Sequence, residues 1–405
     1  MSAAEPAILK QHLIDPVICI RCNTCEETCP IDAITHDLRN YVVNADICNG
    51  CGACVSPCPT GAIDNWRNVV KARAYAVEEQ LLWDELPPEQ DLAETAVPVA
   101  DSADGVVIPP VDGLRGSVIA PKTAARPSVN LHTIRHVATA TVAGNVQVTA
   151  AGRDSDTHHV VLDFGSLPFP VREGQSIGII PPGVDASGRP LYARQYSIAS
   201  PRDGERPKYN NLSITVKRVT IDHNGKPKHG VASNYVCNLK KGDTVQVIGP
   251  FGSSFLMPDD PAAHLLMVCT GTGSAPMRAM TERRRRLRAA GDGKLMLFFG
   301  ARTPEELPYF GPLMQLPKDF IDNNLAFSRV PGKPRDYVQD LIRRRAADVA
   351  ALLADERTHV YVCGLRGMED GVMAAFEAAV SGAGDDWPAL HTQLKMQGRI
   401  HLETY

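Results

Sequence analysis

Eight of the eleven cysteines lie between Cys19 and Cys58, in two copies of one spacing. Cys19, Cys22, Cys25 and Cys29 are followed by Pro30, and Cys48, Cys51, Cys54 and Cys58 by Pro59. A triplet of thiols at C-x2-C-x2-C wraps one metal cluster within a turn of chain. The helical step before the fourth thiol carries it away from its own triplet, and the proline stops the chain from returning. An iron–sulfur cube, with one thiolate on each corner iron, suits this pattern. Structural zinc favours two separated C-x2-C pairs, and a disulfide scaffold needs no duplicated triplet. Spacing alone does not separate a redox cluster from one that only holds the fold. Gly50 and Gly52 leave room for a loop pressed against a cluster.

Three further stretches carry chemistry-bearing residues. In Arg194-Gln195-Tyr196-Ser197, an arginine on a strand can pair with a phosphate, a tyrosine two residues on faces the same way and can stack on a ring, and the serine can reach that ring's reactive edge. Gly230-Val231-Ala232-Ser233 reads as a glycine-led turn opening a helix, whose N–H groups and Ser233 hydroxyl suit a pyrophosphate. A ring platform and an anion seat are what a flavin dinucleotide needs. Thr270-Gly271-Thr272-Gly273-Ser274-Ala275-Pro276 follows an apolar strand and precedes a helix, as G-x-G-x-x-P, a dinucleotide fingerprint without its third glycine.

These groups need elements to hold them. At 405 residues, 44% apolar and 22% charged, the chain is an ordinary globular composition of two to three domains. The cysteine runs sit in two related units about thirty residues apart, a pseudo-symmetric module over 1–70 whose small core its clusters complete. Residues 71–86 read as one amphipathic helix stopped by Pro87 and Pro88. From there to 130 the chain is rich in Pro, Ala, Val and acids, so 71–130 is read as a helix plus linker. Six alternating apolar segments between 131 and 260 predict an antiparallel β-barrel. Residues 261–405 alternate strand and helix and predict a Rossmann-like parallel α/β domain. The fold expected is thus multidomain, α+β and α/β.

Charge and hydropathy set limits on function. A net charge of −4 argues against general nucleic-acid affinity. No apolar run has the length of a membrane span, the N-terminus lacks a secretory pattern, and free thiols suit a reducing compartment, so the expectation is a cytoplasmic protein. Residues 1–65 carry eight acids against three bases, whereas Arg283, Arg284, Arg285, Arg286 and Arg288 share one predicted helix. That helix is either a docking surface for an acidic redox partner or a solvated face, and arginines pointing all round it favour the second.

Residues 10–66 resemble the two-cluster 4Fe–4S ferredoxins, which implies electron carriage and crossed ligation: Cys19, Cys22, Cys25 and Cys58 on one cluster, Cys48, Cys51, Cys54 and Cys29 on the other. From about 131 onward the chain resembles the plant-type ferredoxin–NADP reductases, through "YSIAS", "GVASNYVCNLKKGD", "VIGPFG", "GTGSAPMR", "VCGL" and the terminal "HLETY". This implies a barrel for FAD and an α/β domain for NADPH. By position, Arg194, Tyr196 and Ser197 are the flavin strand, Gly230 and Ser233 the FAD pyrophosphate seat, and Thr270, Gly271, Gly273 and Pro276 the nicotinamide-nucleotide turn. Cys363, Glu403 and Tyr405 match the hydride-transfer residues, Tyr405 covering the flavin. A 2′-phosphate needs cations and hydroxyls, which "FSRVPGKPRDYVQ" supplies as Ser328, Arg329, Lys333, Arg335 and Tyr337, with Lys217 as a further cation. Ile221 stands where the family usually has an aromatic on the FAD adenine, a departure that leaves the adenine end loosely held.

Joined, the modules resemble the reductase components of benzoyl-CoA epoxygenase systems in bacterial aromatic degradation. The implied route runs from NADPH through FAD and two 4Fe–4S clusters to a separate oxygenase, with flavin as the two-electron to one-electron converter. Two alternatives stay open: a general ferredoxin–NADP reductase with another acceptor, and a non-enzymatic redox sensor or scaffold.

Overall fold

The computed structural model describes residues 8–21, 23–55, 58, 60, 62–89, 115–184, 188, 190–221, 226–287 and 293–405. They divide into two compact units, 8–89 with Thr133–Arg135, and Arg115–His132 with His136–Tyr405.

In the first unit, β1 (Ile8–Leu13), β2 (Ile34–His36), β3 (Tyr41–Val43) and β4 (Asn65–Val70) form two antiparallel pairs, β1 with β4 and β2 with β3. Its core is small: Ile14, Ile34, Val43 and Ile63 pack with Cys25 and Cys54. The helix expected over 71–86 is broken into a 3-10 turn, Lys71–Arg73, and a short helix, Val77–Leu81. The cause is a side chain from far along the chain. Gln11, buried on β1, donates to the Tyr75 carbonyl (2.8 Å) and accepts the Tyr75 N–H (2.9 Å), so backbone groups that a helix would pair internally are already taken.

The second unit holds two sheets. In the first, β5 (Ala138–Gln147), β6 (Thr157–Asp163), β7 (Ser176–Ile180), β8 (Arg194–Ser197), β9 (Asn211–Lys217) and β10 (Thr244–Phe251) run antiparallel in the order β8-β7-β10-β5-β6-β9. All six match the alternating segments, because one face of each packs on a common core that includes Val142, Leu162, Ile177 and Ile214 while the other meets solvent or a neighbouring element. The outer strands approach one another: Ile198 bridges Ile214, and the Ala199 N–H donates to the Ser213 carbonyl at 2.7 Å.

In the second sheet, β11 (His264–Thr270), β12 (Leu295–Ala301), β13 (Asp322–Phe327), β14 (Thr358–Gly364) and β15 (Ile400–Thr404) are all parallel, ordered β13-β12-β11-β14-β15. β11 and β14 are continuous apolar runs because helices cover both faces of a parallel sheet. β15 is a finding beyond the sequence reading, which left the tail without an element: the C-terminus is an edge strand, and its last residues are held against β14.

The segment read as linker is not free throughout. Residues 90–114 lie outside the described set, but 115–132 are tied to the second unit. Ser117 N–H donates to the Ile400 carbonyl (2.6 Å), its hydroxyl to the Lys395 carbonyl (2.9 Å), and the Asn130 N–H to the Pro250 carbonyl (2.9 Å). Among the described residues, no helix is long and apolar enough to cross a membrane.

Candidate functional site

The thiols of the first unit stand around two cavities. One is lined by Cys19, Cys25 and Cys58 with Ile14, Tyr41 and Ile63; the other by Cys48, Cys51, Cys54 and Cys29 with His12 and Val43. The fourth cysteine of each run thus faces the other run's triplet. Cys22 lies outside the described residues. Among the described residues no three ligand side chains converge on a point fit for a single ion. A thiol ring around a void suits a polynuclear cluster better than zinc.

Backbone geometry shapes both rings. Gly50 and Gly52 have φ of +74° and +69°, and Arg21 and Asn23, at the same places in the other repeat, have +54° and +68°. The loop therefore demands left-handed backbone in both copies, with glycine in one and a strained non-glycine pair in the other. Asn23 is fixed by the Tyr41 hydroxyl, which donates to its Oδ1 at 2.9 Å. Hydrogen bonds reach the sulfurs, as from the Ala33 N–H to Cys29 Sγ at 3.3 Å. Burial pushes the Cys54 thiol up to about 12, so a thiolate there needs cationic iron beside it. His12 gave no sequence signal. It is buried, stacks on Trp66 with centroids 3.9 Å apart, and sets Nδ1 3.9 Å from Cys48 Sγ.

In the second unit, the functional side chains collect at the carboxyl ends of the parallel strands. In-register pairing aligns Cys269 of β11 with Cys363 of β14, and Cys363 with Glu403 of β15. Burial raises both thiols well above their ordinary range and holds the Glu403 carboxyl at about 7. Tyr405 donates its N–H to the Gly364 carbonyl (2.9 Å), and its hydroxyl lies 2.6 Å from Thr272 Oγ1, which binds the tail to the turn after β11. That turn carries Thr270, Gly271 and Gly273, with Pro276 in the first turn of the helix Ser274–Arg286. A Cβ on Gly273 would lie 2.2 Å from the Cys363 carbonyl oxygen, so only glycine lets the two strand ends meet.

On the antiparallel sheet, Arg194 is exposed and Tyr196 and Ser197 are half-buried on β8, with burial raising the Tyr196 phenol. Gly230 caps the helix Val231–Asn238, and a Cβ there would meet Ser233 Oγ at 2.7 Å. The Ser233 hydroxyl is engaged within the protein: it accepts the Val219 N–H (3.1 Å) and donates to the Gly230 carbonyl (3.2 Å). Beyond β13, Ser328 is half-buried while Arg329, Lys333, Arg335 and Tyr337 are exposed. Ser328 and Arg329 are anchored by backbone bonds to the Ala301 and Arg302 carbonyls. Lys217, at the end of β9, has its pKa lowered by desolvation and, to a lesser extent, by the charge of nearby Arg302.

A family model of the oxidoreductase NAD-binding domain matches residues 267–374, and one of the 4Fe–4S dicluster domain matches 18–62. The cyanelle ferredoxin–NADP reductase of Cyanophora paradoxa is 38% identical over 272 residues, 64% of this chain and 74% of the relative. That of a Spirulina species is 36% identical over 272 residues, 64% of this chain and 92% of the relative. The chain belongs to the ferredoxin–NADP reductase family. A solved ferredoxin–NADP+ reductase from Plasmodium falciparum, 22% identical, shares the fold with a TM-score of 0.54 over 68% of this chain and 99% of its own. The reductase is an oxidoreductase, a flavoprotein with an NAD-binding domain and a 4Fe–4S domain.

The reductase's arginine-rich helix is occupied internally. Arg284 is buried and donates to the Ala263 and Pro261 carbonyls, Arg286 reaches the Gly204 carbonyl and Asp203, and Arg285 pairs with Glu282. The solvated face expected for this run is thus not what forms: Arg284 is buried and Arg283 and Arg286 half-buried, because carbonyls and acids of neighbouring segments take up their guanidinium groups, which also speaks against a free docking surface; Arg288 lies outside the described residues. Arg302 and Thr272 are candidate site residues that motif reading passed over: Arg302 belongs to no recognisable pattern, and Thr272, a variable position of the G-x-G-x-x-P turn, gains a role only once the tail is placed beside it.

Proposed function

We propose that the reductase takes a hydride from NADPH onto FAD and passes electrons through two 4Fe–4S clusters to a separate oxygenase, the benzoyl-CoA epoxygenase of aerobic benzoate degradation. The observation that carries the reductase chemistry is the meeting of Cys363, Glu403 and Tyr405 with the Thr270–Gly273 turn at the carboxyl ends of β11, β14 and β15. The antiparallel sheet, with its outer strands bridged, is read as the closed barrel that holds the flavin. The four-part division at 70, 130 and 260 is kept as the domain scheme. FAD, when bound, supplies conversion between a hydride and single electrons, and the clusters supply one-electron carriage.

The chain's own residues then have distinct tasks. Tyr196 offers a ring platform and Ser197 a hydroxyl at its edge, while Arg194 and the Gly230 turn seat phosphates. The exposed Arg329 and Arg335, with Ser328, Lys333, Tyr337 and Lys217, select a 2′-phosphate and hence NADPH over NADH. Tyr405 covers the place that nicotinamide must take and has to step aside, giving up its bond to Thr272. Glu403 holds a proton beside Cys363, whose buried neutral thiol packs against the nicotinamide. The two thiol-ringed cavities hold one cluster each.

The epoxygenase assignment rests on the joined-module resemblance. The curated relatives favour a second reading, in which the acceptor is a ferredoxin. Anaerobic stopped-flow absorbance of the reconstituted holoprotein with NADPH tests the reductase chemistry: flavin should bleach first and the cluster band follow within one turnover. Clusters that stay oxidised beside a reduced flavin would defeat the internal route. NADPH-driven turnover of a benzoyl-CoA epoxygenase, compared with reduction of a ferredoxin, then decides between the acceptors.

A further inference from the structure

A polar network joins the two sheets of the second unit, and none of its members belongs to the cofactor residues described above. Arg278, in the second turn of the helix that follows the Thr270–Gly273 turn, makes a forked pair with Glu205: 2.7 Å to Oε1 and 2.9 Å to Oε2. The same guanidinium donates to the Ala199 carbonyl at 2.8 Å. Ala199 lies two residues past Ser197, and its own N–H is spent on Ser213 of β9. The end of the flavin strand is therefore gripped by β9 on one side and by the nucleotide-turn helix on the other.

A second grip stands beside the first. Tyr309, in the connection from β12 to β13, holds a left-handed backbone with φ of +62°, unusual for an aromatic residue. Its hydroxyl lies 2.6 Å from Thr215 Oγ1 and 2.9 Å from His159 Nδ1, both on the antiparallel sheet, and Arg278 sits over its ring at 5.1 Å. One proton arrangement satisfies every group. Burial and Arg278 keep His159 neutral, its Nε2–H faces Glu205, and its Nδ1 accepts from Tyr309, which accepts from Thr215. Ser213 adds a further donor to Glu205 at 2.9 Å.

We infer that Arg278 and Tyr309 are positioning residues for hydride transfer: they lock the nucleotide-binding sheet to the flavin strand and so fix the approach of nicotinamide to flavin. This rests on the reductase reading. Hydride transfer tolerates little displacement of donor and acceptor, and a shift of about 1 Å costs on the order of a hundredfold in rate. Neither side chain touches the reacting atoms. Lysine at 278 keeps the charge but cannot make the fork and the carbonyl bond together.

The test compares Arg278→Lys and Tyr309→Phe holoproteins with the unsubstituted one. Expected are flavin reduction by NADPH slowed about tenfold to a hundredfold, dissociation constants for FAD and NADP+ within about threefold, and a weakened flavin–nicotinamide charge-transfer absorbance. Reduction at the unsubstituted rate with only a lowered Tm would overturn the inference, as would a slowed rate explained wholly by lost nucleotide affinity. Should Arg278→Lys fail to fold, Thr215→Val, which removes one partner of Tyr309, takes its place under the same criteria. An unsubstituted holoprotein whose flavin NADPH does not reduce would overturn the reductase reading, and this inference with it.

Discussion

Glu403 shows how burial prepares one carboxyl. Its ordinary value is 4.5, and burial lifts it to about 7, so it titrates in the neutral range where an exposed glutamate is already fully ionised. The folded value stands above the unfolded one. The stabilisation this group contributes is therefore complete below about pH 4.5 and is lost as pH rises through 7. Glu403→Gln should then flatten that part of the stability curve, read as Tm at pH 5 against pH 8, and should erase an ionisation near pH 7 from the pH dependence of flavin reduction. On the proposed function, a different pair of side chains selects the nucleotide. Arg329 and Arg335 are exposed on the loop after β13, free to reach a 2′-phosphate. Each charge-assisted contact is worth about 1.5–3 kcal/mol. Arg329→Ala or Arg335→Ala should therefore raise the KM for NADPH about tenfold to a hundredfold and leave NADH kinetics unchanged. An equal loss with both nucleotides would remove the 2′-phosphate role.

At the scale of elements, the turn after β11 makes a contrast between neighbouring glycines. Gly273 has the Cys363 carbonyl 2.2 Å from where its Cβ would stand, whereas Gly271, at φ +55°, has nothing within 4 Å. Gly273→Ala must push two strand ends apart and should cost about 1–3 kcal/mol or more, while Gly271→Ala meets only backbone strain of about 1 kcal/mol. Chemical denaturation ranks the two, and a reversed order would mean that the Cys363 loop yields easily. The same elements show what sequence made legible. The antiparallel strands declared themselves because each buries one face, and β11 and β14 because both faces are covered. β15 did not: the five residues Ile400–Thr404 carry too short a pattern, and what makes them a strand is β14 beside them. The break at Tyr75 was equally hidden, since Gln11 lies 64 residues away and no glycine or proline marks the site. Ser233 lay where the motif put it, yet its hydroxyl is spent on Val219 and Gly230, a cost visible only in three dimensions.

At the scale of the whole molecule, the cysteine runs were legible because metal chemistry dictates their spacing, whereas composition did not show which linker residues are strapped to the second unit, because polar strapping bonds have no composition of their own. What spacing could not show is which thiols share a cavity. The cavities place Cys58 with Cys19 and Cys25, and Cys29 with Cys48, Cys51 and Cys54. Crossed ligation makes a prediction that reverses the intuition from sequence order. If each cavity holds one cube of about four irons, any single cysteine-to-alanine variant should keep about half of the chain's iron. Cys29→Ala combined with Cys51→Ala strikes one cavity twice and should keep that half. Cys29→Ala combined with Cys19→Ala strikes both cavities and should lose nearly all of it, although both substitutions lie in the first run. Iron and acid-labile sulfide per chain, measured on proteins reconstituted side by side, separate the schemes. Were each run to hold its own cube, the two double variants would exchange results.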